Sequence, residues 1–78
     1  NTGQFTMMLE QIVDQLALQR RWTHKLAHKA GDACFKKTDD VLHNIQELLD
    51  EARALVTDAK DALEEDAEAS NGVTVSLV

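Results

Sequence analysis

Apolar residues recur through the second half of the chain with alternating spacings of three and four. Leu42, Ile45, Leu49, Ala52, Val56, Ala59 and Leu63 form an unbroken a/d heptad ladder. Val41, Leu48, Leu55 and Ala62 widen it at the g positions. A stripe this broad suits a bundle helix that faces two neighbours. The pattern specifies packing and names no chemistry. It predicts a helix over about 39–69, with Asp39 and Asp40 in a first turn whose dipole favours acids.

The first half gives a second helix, over about 4–30. Phe5, Met8, Leu9, Ile12, Leu16, Leu26, Ala27 and Ala30 fall on one face at helical spacing. Gln19 and Thr23 interrupt that face with polar groups. Such an interruption can fix register or oligomer state, and otherwise marks a less buried stretch. Gly31 follows the last periodic residue and suits a left-handed C′ position. Asp32 and Thr38 are each expected as N-caps. Residues 31–38 therefore read as a turn, and a turn of that length joins antiparallel neighbours. Ser70, Asn71 and Gly72 are expected to end the second helix. Val73, Val75 and Leu77 alternate with Thr74 and Ser76, so 71–78 reads as an extended or disordered tail.

The expected fold is all-α: an antiparallel, coiled-coil-like helical hairpin over 1–70. Phe5, Leu9, Ile12 and Leu16 are expected to pack on Leu42, Ile45, Leu49, Val56 and Leu63. At 78 residues such a core rarely supplies more than about 3–5 kcal/mol. A single cysteine, Cys34, permits no internal disulfide. Self-association into a four-helix bundle is then the expected source of further stability. Leu18 and Trp22, off the main stripe and bordered by Met8 and Leu26, are the expected partner contacts.

Charge divides the chain. Residues 1–38 hold six basic and three acidic groups, and residues 39–78 hold two basic and eleven acidic. A hairpin would set the basic helix beside the acidic one. No apolar run reaches the roughly 18 residues of a membrane span, and there is no signal-peptide pattern. The chain begins at Asn1 and is expected to be trimmed or excerpted from something longer. The lone Cys34 fits a reducing compartment, although cysteine-poor helical proteins are also secreted.

Candidate chemistry is sparse. His24 and His28 have the i,i+4 spacing of metal ligands, and Cys34 and His43 could complete a set. On the helical wheel the two histidine-bearing faces are not expected to meet within one hairpin. No metal or cofactor is therefore assigned. His28, Lys29 and Gly31 partly resemble the phospho-accepting segment of histidine phosphotransfer domains, but Gly31 stands one residue early and the chain is too short. The basic stretch Leu16–Lys29 lacks the interleaved aromatics of a nucleic-acid surface. Ser76, Leu77 and Val78 match a carboxyl-terminal pattern read by PDZ domains. No phosphate loop, nucleophile elbow or paired acid is present. The sequence thus predicts a non-enzymatic adaptor, oligomerisation or structural-assembly module. The alternatives are an amphipathic lipid-surface protein and a metal- or haem-binding bundle.

Overall fold

The computed structural model describes residues 2–77, with side chains over 2–70. Two helices, α1 (Thr2–Asp32) and α2 (Lys36–Leu77), pack as an antiparallel hairpin in a rod of 67 × 16 × 9 Å. No strand occurs among the described residues. α2 runs on to Leu77, so the expected break at Ser70–Gly72 and the extended tail are not found. Val78 lies outside the described residues.

The turn is tighter than expected and uses a different residue. α1 continues through Gly31, and among the described residues Cys34 alone takes a left-handed backbone, with φ 62°. The Phe35 amide donates to the Ala30 carbonyl at 2.8 Å, and the Cys34 amide donates to Gly31 at 3.0 Å. These are the paired 6→1 and 5→2 bonds of a Schellman motif, with Cys34 at C′. The Phe35 carbonyl then accepts from Asp39 at 2.9 Å, which makes Phe35 the residue that opens α2. Neither Asp32 nor Thr38 serves as the N-cap, because α2 begins at Lys36.

Each helix turns a narrow inner seam to its partner. On α1 the buried and half-buried positions are Leu9, Val13, Leu16, Ala17, Arg20, Thr23, Ala27 and Ala30. On α2 they include Leu42, Gln46, Leu49, Val56, Lys60, Leu63 and Ala67. Among the described residues only Ala27, Ala30, Leu42 and Val56 are buried. Arg20 Nε reaches Asp50 Oδ1 at 2.7 Å and fixes which residues lie level with each other. Both partners are substantially exposed, so this pair adds register more than energy. The Thr23 hydroxyl donates to the Gln19 carbonyl at 2.7 Å, which hides its polarity within the seam. Gln46 Nε2 is buried there without a partner.

Three residues expected in the core are not. Phe5 is 58% exposed, Ile12 47% and Ile45 38%. The cause is a small rotation of both helices. The seam takes Val13, Gln46 and Lys60, so the d position of the α2 ladder swings outward. One neighbour cannot cover a stripe three residues wide per heptad.

The turn geometry predicts that its glycine is misplaced. A Cβ on Gly31 would meet Asp39 Oδ2 at an ordinary 3.7 Å. Gly31→Ala should stabilise by about 0.5–1 kcal/mol through helix propensity. Cys34→Gly should add a similar amount by relieving the left-handed penalty. Urea unfolding of the two variants checks this; a lower midpoint for either would contradict the turn described.

Candidate functional site

Rotation of the helices leaves a second heptad line on each. On α1 it runs Phe5, Met8, Ile12, Gln15, Gln19, Trp22, Leu26. On α2 it runs Val41, Ile45, Leu48, Ala52, Leu55, Ala59, Ala62. Both alternate spacings of three and four. Each lies roughly 90° around its helix from the inner seam, in the same rotational sense. Because the helices are antiparallel, equal rotations bring both lines to the same side of the hairpin. The groove lined by Phe5 on α1 and by Ala59 and Ala62 on α2 shows this directly. The hairpin therefore has one apolar face made from two outer seams.

That face is open. Leu48 is 63% exposed, Leu55 64% and Trp22 58%. Of the expected partner contacts, Met8, Trp22 and Leu26 belong to this face. Leu18 sits one helical turn before Trp22, on its outer flank. The Lys25 ammonium lies 5.0 Å from the centre of the Trp22 ring, a cation–π contact. A shallow groove of about 350 Å³ runs along α1 between Met8, Ile12, Gln15 and Gln19. The polar interruption foreseen in the α1 stripe is thus split: Thr23 turns inward, and Gln19 joins Gln15 on the outer face.

The opposite face, near the turn, carries the histidines. His24, His28 and His43 line one cleft with Asp32 and Asp39. This corrects the wheel-based expectation that the two histidine faces stay apart. A hairpin brings together flanks on either side of its inner seam, and these residues sit on the two flanks that meet opposite the apolar face. His24 and His28 place their Nε2 atoms 3.2 Å apart, one donating and the other accepting, with rings at 87°. His43 Nδ1 donates to the Asp39 carbonyl at 2.9 Å and lies 3.0 Å from Asp39 Oδ1. Cys34 is exposed in the turn and does not line this cleft. Among the described residues, no group of three or more His, Cys, Asp or Glu is arranged to hold a metal ion.

Compared with protein-family models, curated proteins and solved structures, the chain matches none. Function has to be read from these two faces.

The cleft yields one titration. The hydrogen bond from His43 to the Asp39 carbonyl, and then the Asp39 charge, raise the His43 pKa above 6.5. A raised folded-state value means that His43 stabilises the fold fully below about pH 6.5, and that this contribution fades as pH rises through the folded value. Asp39→Asn should move the His43 midpoint back toward its ordinary value in an NMR titration of the imidazole protons. An unchanged midpoint would remove the Asp39 carboxylate as a cause and leave the backbone carbonyl, which the substitution keeps.

Proposed function

We propose that this chain is a non-enzymatic self-association module, and that its outer apolar face is the surface through which copies assemble. The observation that carries the reading is the one-sided exposure of two aligned heptad lines. Isolated apolar side chains on a surface are ordinary, but a continuous apolar face marks an interaction site.

Energetics support the same reading. The chain exposes 6264 Å², against about 4,700 Å² for a compact monomer of 8.7 kDa. The excess on one chain is about twice what each partner buries in a standard protein–protein interface. The inner core offers only two alanines, one leucine and one valine. At about 1.5–3 kcal/mol for each fully buried Val or Leu, it scarcely offsets the ordering of two long helices. Covering the outer seams would bury Ile12, Trp22, Leu48 and Leu55 together.

A lipid surface is the second reading, and the same one-sided apolar face favours it. No helix among the described residues is long and apolar enough to cross a membrane, so lipid contact would be interfacial. The net charge of −6, concentrated on α2, works against anionic headgroups.

Adjacent leucines separate the two seams and provide the test. Leu49 faces α1, whereas Leu48 faces outward. Leu48→Asp should shift the sedimentation profile at micromolar concentration toward monomer, weakening association by at least tenfold, with the hairpin still helical at low concentration. Leu49→Asp should unfold the hairpin itself. A wild-type chain that stays monomeric without lipid but binds vesicles would replace this reading with the second.

A further inference from the structure

We infer that two hairpins pack face to face about a dyad at the Gln15–Gln19 layer, with their turns at opposite ends of the bundle. This rests on the self-association reading and adds the partner's orientation.

Two closed arrangements are open to such a face. A dyad along the rod puts both turns at one end and sets α1 of each copy beside α2 of the other. A dyad across the rod puts the turns at opposite ends and sets like helices side by side, antiparallel. The hairpin's own register decides between them. Arg20 is level with Asp50. Moving back three residues along α1 moves forward three along α2, so position 17 is level with position 53.

The outer seam of α1 from Met8 to Leu26 reads the same in both directions about position 17. The outer seam of α2 from Ile45 to Ala62 reads the same about a point just past position 53. The two centres of symmetry therefore lie at one level of the rod, where a single crosswise dyad serves both helices.

Packing volumes agree. With the dyad there, Ile12 and Ala59 of one copy lie level with Trp22 and Leu48 of the other. Met8 and Ala62 lie level with Leu26 and Ile45. Along α2 every large residue meets an alanine: Ile45 meets Ala62, Leu48 meets Ala59 and Leu55 meets Ala52. Each layer then holds a similar mix of large and small side chains, as close packing requires. With the turns together, one layer would hold two copies each of Trp22 and Leu48 while another held two each of Gln19 and Ala52. The first is overfull and the second thin.

The glutamines point the same way. Across the dyad, Gln15 of each copy meets Gln19 of the other, and four amides can bond among themselves. With the turns together, Gln15 would face Leu55 and Gln19 would face Ala52. Burying an unpaired amide costs about 1–3 kcal/mol each. Charge is divided. The crosswise dyad brings Asp14 near Arg21, but it also sets the acidic flanks of α2 together. The other arrangement would set basic α1 against acidic α2. Exposed pairs of this kind are worth only about 0–1 kcal/mol and are screened by salt, so the amide layer and the packing outweigh them.

The native Cys34 reports the answer, since it is the only cysteine and is exposed in the turn. Spin labels on the full-length chain at Cys34 should give a dipolar distance of about 50 Å, from 17 residues at 1.5 Å on each side of the dyad. A distance below about 25 Å in a confirmed dimer would overturn the orientation and leave self-association standing. A chain with no intermolecular coupling, monomeric by sedimentation, would overturn both. The double variant Gln15→Leu, Gln19→Leu should associate at least tenfold more tightly and gain a second, short-distance population, because the polar layer no longer selects register. If its long distance remains the sole one, the amide layer does not set the dyad.

Discussion

A helix that carries two apolar lines a quarter turn apart cannot bury both against one neighbour. Every other property of this chain follows from that constraint. The hairpin buries the inner line of each helix and must present the outer one. Antiparallel geometry then gathers the two outer lines onto one side. The polar flanks, including the three histidines and Asp39, are gathered onto the other. The molecule is therefore two-faced because its helices are antiparallel and their lines turn in the same sense. Had α2 run parallel to α1, the same residues would have faced opposite sides.

The inner seam is weak by composition. It admits Arg20, Thr23, Gln46 and Lys60 among its apolar residues. Long basic side chains can lay their stems along such a seam and keep their charges in water. The Arg20–Asp50 pair adds selectivity of register at little gain in stability, and the unpartnered Gln46 nitrogen costs stability. The strongest hydrophobes of the chain, among them Trp22, Ile12, Leu48 and Leu55, are held back from the hairpin. Most of the available hydrophobic stabilisation thus lies at the outer face.

Helix content and the hairpin were legible in the sequence, because heptad spacing over Leu42–Leu63 admits little else. The width of the α2 stripe also signalled that one neighbour would leave part of it uncovered, as Leu48 and Leu55 are. Which edge of that stripe would face α1 was not legible. Inner and outer lines differ by a single step along the helix, and the choice rests on the partner's volume at each level. Thr23 reads as polar, so the α1 stripe looked interrupted where the inner seam in fact continues, and Gln46 lay outside the apolar ladder that the α2 pattern suggested. The turn was misplaced for a related reason. Glycine is the usual left-handed residue, yet here the register of Ala27, Ala30 and Leu42 sets the chain reversal at Cys34. The histidine cleft was missed because a wheel drawn for each helix separately hides the meeting of flanks across the seam.

The best-buried cluster, Ala27, Ala30 and Leu42, adjoins the turn. Contacts there close a short loop, whereas Leu9 and Leu63 at the open end close one several times longer. Each doubling of loop length adds about 0.6 kcal/mol of closure entropy. The hairpin therefore zips from the turn outward, with the close-packed alanines as its first footing. Its open end, where Phe5 lies beside Ala59 and Ala62, is the last to form and the first to let go. Folding order is thus written along the rod as a gradient from one end to the other.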